Sequence, residues 1–459
     1  MRAAPAHDDA LLVHPAALRG EVVVPGDKSL SHRSLLFAAL AAGRSELDGL
    51  LQGGDAAATV GVLRALGVDV FDSHGRWTVE GGGPDALREP AAVLDCVRSG
   101  TTMRLLAGLL AGLPVTATLS GDPQLLGRPM RRIIEPLRQM GVRFLGRASD
   151  AFAPFTMRGP RADGRALRSI DYQSPVASAQ VKSAILLAGL HADGVTTVRE
   201  PGLSRDHSER MLLALGAPIR IIGERSGRFV VQTNALARPL DPIVGRIPGD
   251  PSSAAFPLAA AAMQPGAEVV VRDVALNPTR VAFLDVLRAA GAEVEVVQTR
   301  DFCGEPVGDI AVRGRALRAF EVGAAQVPAL IDEIPVLAVV AAMAEGVSAF
   351  RDAAELRVKE TDRIATTAAG LAALGAAVTP TDDGMVVQGR AGRPFVAAPV
   401  QSFGDHRIAM AMAVAVTCAD GPVRIAAAGC SADSFPGFAE TLAALGVEAT
   451  WITDREAAC

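Results

Sequence analysis

A helix-ending phrase recurs six times along these 459 residues, and it restricts the possible folds more than any other feature. It reads LRALGVDV from Leu63, LRQMGVRF from Leu137, LLALGAPI from Leu212, LRAAGAEV from Leu287, LAALGAAV from Leu371 and LAALGVEA from Leu442. The shared glycines, Gly67, Gly141, Gly216, Gly291, Gly375 and Gly446, are 74, 75, 75, 84 and 71 residues apart. Each stands just past the end of a Leu/Ala-rich helix, in the position that needs a positive φ. A strand follows directly, as at 68–71 and 294–297. Upstream of each phrase lies another apolar helical run, at 35–42, 103–113, 181–190, 254–263, 336–344 and 408–416. The repeating unit therefore reads strand, helix, strand, helix, strands, about 75 residues long. A unit of this size cannot bury its apolar helices alone, so neighbours must group. The expected fold is α/β, with three units in each of two lobes and the helices inside.

The segment 238–251 (RPLDPIVGRIPGDP) carries four prolines and two glycines between the third and fourth units and reads as a hinge. A second crossing is expected at 24–26, because a first strand precedes the first helix. The domains implied are an inserted one, 26–245, and a discontinuous one, 1–25 plus 246–459. Two lobes on a hinge suggest ligand capture by closure.

Composition removes several function classes. Apolar residues make up 49% and charged residues 21%, so the chain is neither disordered nor fibrous. The longest apolar stretches, 105–115 and 336–344, are too short to span a bilayer, and no secretory signal is visible at the start. Five cysteines (96, 303, 418, 430 and 459) sit singly, which suits reduced thiols in a cytoplasm and gives neither a disulfide framework nor a metal site. A net charge of −5 argues against nucleic acid as a partner while leaving room for a small anion held by local arginines. Of 45 basic residues only Lys28, Lys182 and Lys359 are lysines. In an arginine-rich background, a lysine marks a place where a proton must be exchangeable, which guanidinium does not allow.

Four clusters carry the chemistry. GDKSLSHR at 26–33 puts amides, a hydroxyl and an ammonium at a helix start, where a phosphate would bind, although Asp27 and Ser29 can also act as plain caps. SGTTMR at 99–104, with Arg98 and Arg104, and SAQVKSA at 178–184 repeat the pattern; together they resemble a multi-point cradle for an oxyanion. RVKETDR at 357–363 crowds Arg357, Lys359, Glu360, Asp362 and Arg363 together, and Asp332-Glu333 interrupt an apolar run just upstream. Such a run of charges can be a solvated helix start, but carboxylates inside an apolar run are costly unless paired or used. GDHRIAMA at 404–411 adds Asp405, His406 and Arg407.

These motifs, with GRPMRR at 127–132, GDPSSAAF at 249–256, LNPTR at 276–280 and LIDEIP at 330–335, occur in one order over nearly the whole chain. In them the sequence resembles the EPSP synthases (3-phosphoshikimate 1-carboxyvinyltransferases), enolpyruvyl transferases of the shikimate pathway. The resemblance implies a two-domain inside-out α/β barrel of six βαβαββ repeats, three per domain. It implies transfer of the enolpyruvyl group of phosphoenolpyruvate to the 5-hydroxyl of shikimate-3-phosphate through a tetrahedral ketal. On the matching positions, Lys28, Gly100, Arg128 and Gln180 meet the phosphoenolpyruvate phosphate, and Arg363 and Arg407 hold its carboxylate. Ser29, Arg33, Ser178, Ser204 and Asp332 hold shikimate-3-phosphate, with Lys28, Gln180 and Lys359 also reaching it and Arg205 and His207 near its phosphate. Asp332, Lys359 and Glu360 carry the protons. No metal or cofactor, nucleic acid or membrane is implied, and the protein is expected to be a cytoplasmic monomer.

Three positions depart from the family pattern. Arg98 stands where many relatives have Asn, Ala179 where a serine is common, and Asp433 where many have a phosphate-binding Lys. Arg98 is expected to supply part of the missing charge. Two alternatives remain: a catalytically silent shikimate-3-phosphate-binding paralogue, and the sister transferase acting on UDP-N-acetylglucosamine, whose Cys-bearing loop has no counterpart around 110–130.

Overall fold

The computed structural model describes residues 5–453; Cys459 and the outermost residues of the expected discontinuous domain lie outside that range. The chain is a mixed α/β protein that divides into two compact units. One comprises residues 26–247 with 301–305; the other comprises the chain up to 25, 248–300 and 306 onward.

Residues 26–247 form three four-stranded sheets, each with a parallel pair at one edge and antiparallel pairs beyond it. The first runs Val244–Arg246, Ala42–Asp48, Arg76–Gly82, Asp69–Ser73. The second runs Leu94–Asp95, Thr116–Ser120, Phe152–Arg158, Arg143–Gly146, and the third Asp171–Gln173, Thr196–Glu200, Arg228–Thr233, Ile219–Arg225. The strand Val244–Arg246 pairs with Glu46–Asp48, which carries this unit to residue 247 rather than the expected 245. The segment 301–305 belongs here as well, because the Glu305 carboxylate meets His207 and bare Gly304 lies against the carbonyl of Arg210. Nothing in the local sequence of that turn announces this.

The second unit repeats the arrangement. Arg19–Val23 pairs in parallel with Glu268–Ala275, followed by Glu305–Arg313 and Glu293–Phe302. Glu321–Val322 pairs in parallel with Val347–Phe350, followed by Gly384–Gln388 and Ala377–Thr381. Val400–Gln401 pairs in parallel with Val423–Ala426, then come Ala10–Val13 and Ala449–Ile452. All six phrase-ending glycines take positive φ, between 76° and 111°.

Three helices run through the interior of each unit. In the first they are Lys28–Leu40, Gly100–Ala111 and Ala179–Gly189; in the second, Pro251–Ala262, Ile334–Met343 and His406–Val416. Helices without a continuous polar face must be buried on every side, and these are. Only Lys28, Ser29, Thr101, Ala179 and Gln180 escape full burial in the first three, and only His406 in the second three. The helices therefore present polar groups to the outside only at their first turns. At Gly108, a Cβ would collide with the backbone of Ala184, so bare backbone sets the approach of helix Gly100–Ala111 to helix Ala179–Gly189.

Candidate active site

In the unit of residues 26–247, the first turns of the three buried helices carry the expected anion-binding side chains. Each starts at a polar cap: Asp27 accepts from Leu30 N (2.7 Å), Ser99 accepts from Thr102 N (3.1 Å), and Ser178 precedes the third. Lys28 forms an ion pair with Asp55, at the start of helix Gly54–Ala65. Burial works against the Asp55 charge, yet Lys28, His32 and Arg128 hold its carboxyl below the usual range. Arg104 is buried and donates to Gln180 Oε1 (2.5 Å) and to the carbonyl of Pro129 (3.2 Å), while its Nε finds no acceptor. Burial, with Arg132 and Arg128 close by, pushes it down to about 9. Gln180 in turn accepts a donor from Arg104 and gives one to Thr101 Oγ1 (3.0 Å). A Cβ on Gly100 would sit 3.0 Å from Arg104 Nη1 and 3.5 Å from Arg128 Nη1, so bare backbone admits both guanidiniums to the helix start. The cluster is rich in cations, and an anion would relieve it.

Arg33 lies deeper than its expected role suggests. It is 3% exposed and donates to Ser208 Oγ (2.8 Å), Ser183 Oγ (3.1 Å) and the carbonyl of Ser29 (3.0 Å), so it braces the Ser29 turn from beneath. His207 is sealed, with Nδ1 2.8 Å from Glu305 Oε1. His32 is also sealed, against Thr59 Oγ1 (2.7 Å), and burial drives it down to about 3. Ser204 Oγ donates to Glu200, which also accepts from Ser178 N. Glu200, Glu209 and Asp55 went unnoticed in the sequence, because their partners lie on other elements. Arg98 pairs with Asp122 Oδ2 at 2.8 Å, both partly exposed, so that pair would have to open or be shared for Arg98 to supply the expected charge. Asp433, in the other unit, faces His7 Nε2 at 3.1 Å, and both are half-exposed.

In the second unit a single arginine organises the site. Arg363 opens helix Arg363–Ala373 and is 1% exposed. Its Nε donates to Asp405 Oδ2 (2.8 Å), Nη2 to Glu360 Oε2 (2.6 Å) and to Asp405 Oδ1 (3.3 Å), and Nη1 to Asp332 Oδ1 (3.4 Å). Burial opposes its charge, but Glu360, Asp405 and Asp332 raise its pKa. Asp405 also caps helix His406–Val416 through Arg407 N (2.9 Å) and accepts from Thr361 Oγ1 (3.1 Å). Beside it, the Arg407 guanidinium stands over the Phe256 ring at 5.9 Å, 8% exposed, with Nε buried and lacking an acceptor. Asp332 and Glu360 are thus brought together on Arg363. Lys359 is not part of that group: its Nζ donates to Glu355 Oε1 (2.9 Å), one turn back. Arg357 ties the segment down by donating to Asp362 Oδ2 (2.6 Å) and the carbonyls of Asp382 (2.7 Å) and Thr381 (2.5 Å).

A family model described as EPSP synthase (3-phosphoshikimate 1-carboxyvinyltransferase) matches residues 12–442. The chain belongs to the EPSP synthase family. A relative from Geobacter sulfurreducens named 3-phosphoshikimate 1-carboxyvinyltransferase is 49% identical over 437 residues, covering 94% of this chain and 98% of its own. Another of that name, from a Synechococcus, is 50% identical over 435 residues, covering 94% of this chain and 97% of its own. A solved structure of EPSP synthase from Acinetobacter baumannii aligns with a TM-score of 0.88 at 39% identity, covering 97% of this chain and 100% of that one. The mixed α/β architecture described above is thus that of EPSP synthases, and the motifs that carry the resemblance, from GDKSLSHR to GDHRIAMA, lie within the matched residues.

Proposed function

We propose that this EPSP synthase family member moves the enolpyruvyl group of phosphoenolpyruvate onto the 5-hydroxyl of shikimate-3-phosphate, releasing phosphate. One observation carries the reading: two proton-carrying carboxylates, Asp332 and Glu360, share the buried Arg363 beside Arg407, whose Nε has no acceptor. Arg363 and Arg407 hold the carboxylate of phosphoenolpyruvate by charge-assisted, fork-like bonds. Lys28, Gly100, Arg128 and Gln180 receive its phosphate, with Arg104 behind them. Lys28, Ser29, Ser178, Gln180, Ser204, Asp332 and Lys359 hold shikimate-3-phosphate, and Arg33 supports Ser29.

The proton movements follow from the groups present. In the addition step the 5-hydroxyl loses its proton to Asp332 while its oxygen bonds to C2 of phosphoenolpyruvate, and the methylene carbon gains a proton from Glu360. In the elimination step the C2–O bond to phosphate breaks, and the new methyl group returns a proton to the protein. Lys359 is an ammonium that can leave Glu355 for the substrate and exchange a proton there, as no guanidinium could.

The six sheets of like order, three in each unit, support the finer reading of an inside-out α/β barrel built from six βαβαββ repeats. On this reading residues 26–245 bind phosphate and shikimate-3-phosphate, while 1–25 plus 246–459 transfer protons. The protein acts as a cytoplasmic monomer on two small anions. The sister chemistry on UDP-N-acetylglucosamine gains no support from the thiols, since burial pushes Cys96, Cys303 and Cys430 up to about 12. A coupled phosphate-release assay tests the proposal: release that requires both substrates is expected. Tight shikimate-3-phosphate binding without turnover would instead identify a silent paralogue.

A further inference from the structure

Of the three lysines, Lys182 is the one given no role in binding or proton transfer above, and it is the most deeply buried, at 2% exposure. It lies in helix Ala179–Gly189, with Nζ 2.8 Å from Glu200 Oε2, 2.7 Å from Glu209 Oε1 and 3.4 Å from the carbonyl of Ser204. Glu200 closes the strand Thr196–Glu200, and Glu209 sits in the first turn of helix His207–Ala214; each is 1% exposed. Two carboxylates around one ammonium, away from water, are a poor source of stability compared with apolar packing of the same volume. Glu209 Oε2 even lacks a donor, and burial lifts the Glu209 carboxyl, against the pull of Lys182.

The outward side of the cluster explains its presence. Glu200 Oε1 accepts from Ser178 N (2.8 Å), and the Ser204 hydroxyl donates to Glu200 at 2.9 Å (Oε1) and 2.8 Å (Oε2). Two of the three serines assigned to shikimate-3-phosphate, Ser178 and Ser204, are therefore held by one carboxylate, although they lie 26 residues apart in the chain. We propose that Glu200 is a positioning residue that sets Ser178 and Ser204 for shikimate-3-phosphate, and that Lys182, held in place by Glu209, offsets part of the carboxylate charge that would otherwise repel this anion. The proposal rests on the assignment of those serines given above. It adds three residues to the recognition of one substrate, none of which touches it.

The test is calorimetric titration with shikimate-3-phosphate, together with initial rates against each substrate. Losing a charged hydrogen-bond partner or its counter-charge weakens binding about tenfold or more. That loss is expected for Glu200→Gln and for Lys182→Met. The KM for phosphoenolpyruvate should stay within about twofold, and kcat should fall by less than the KM for shikimate-3-phosphate rises. A merely structural cluster would instead lower thermal stability or the active fraction and leave that KM in place. The cycle with Ser204→Ala adds a second reading: the serine substitution should cost less in the Glu200→Gln background than in the wild type. Should Lys182→Met not fold, the near-isosteric Glu200→Gln and the cycle still decide. Unchanged shikimate-3-phosphate affinity in Glu200→Gln, with additive effects in the cycle, would overturn the triad. A wild-type chain that neither binds shikimate-3-phosphate nor releases phosphate would overturn the functional reading instead.

Discussion

Replacing Arg407 by methionine removes a guanidinium whose Nε is buried without an acceptor and which stands over the Phe256 ring at 5.9 Å. An unsatisfied buried donor costs the folded chain about 1–3 kcal/mol. Stacking on the ring returns about 0.5–2 kcal/mol, and a methionine keeps most of the packing of the stem. Without substrate, Arg407→Met should therefore change stability by about −1 to +2.5 kcal/mol, a Tm shift of roughly −3 to +8 °C for a domain of this size. Phosphoenolpyruvate should respond the other way: losing charge-assisted bonds to its carboxylate raises KM at least about tenfold. Arg363→Met provides the contrast, since it strips the counter-ion from Asp405, Glu360 and Asp332. Breaking a buried pair costs about 3–5 kcal/mol, so its Tm should fall by roughly 10 °C. Scanning calorimetry on ligand-free protein and a phosphoenolpyruvate rate series measure both quantities. A Tm loss above about 3 °C in Arg407→Met would refute the account of an unmet cation, as would a phosphoenolpyruvate KM within about twofold of the wild type.

Lys359→Arg keeps the positive charge but should lose most of kcat, because guanidinium holds its proton at neutral pH; a near-normal kcat would remove Lys359 from the proton path. Gly108→Ala forces a methyl into the backbone of Ala184 and should cost about 1–3 kcal/mol, read as a lower Tm; no loss would mean that the two helices can slide apart. Burial holds His32 near 3 and His191 and His406 near 4 in the folded chain. Unfolded histidines bind protons from about pH 6.5 downward, so stability is full above that pH and falls by about 1.4 kcal/mol per pH unit for each histidine until its folded value is reached. Glu209, raised by burial, works in the opposite direction. The Tm should drop several degrees from about pH 7 to pH 5, with a shallower slope in His32→Gln; a flat profile would show that these imidazoles take up protons in the folded chain as readily as in the unfolded one.

The sequence made legible whatever depends on neighbours along the chain. The six glycines could be placed because a helix stop is a local event, and each takes the expected positive φ. The polar starts of the buried helices could be placed because caps and apolar runs sit side by side, and Asp332, Glu360 and Arg363 do meet. Contacts across the chain could not be read. Lys182 stood out by its rarity, but its partners Glu200 and Glu209 come from a strand and a separate helix, so its burial had no sequence signal. Arg33 and Arg98 look like open cations in the sequence. Only the fold shows that Ser183, Ser208 and the carbonyl of Ser29 occupy the first and that Asp122 occupies the second.

The strand Ala10–Val13 is flanked by Val423–Ala426 on one side and Ala449–Ile452 on the other, so it pairs with segments that are synthesised long after it. At roughly 5–20 residues per second, Leu11 and Val13 wait about 20–90 s for the partners that bury them. The stretch 26–247 is continuous and can condense nearly in full during that interval, lacking only residues 301–305. A nascent chain of this protein thus carries a bare apolar ribbon ahead of that folded stretch, and a message cut short before the codon for Ala449 would leave one side of the ribbon open for good.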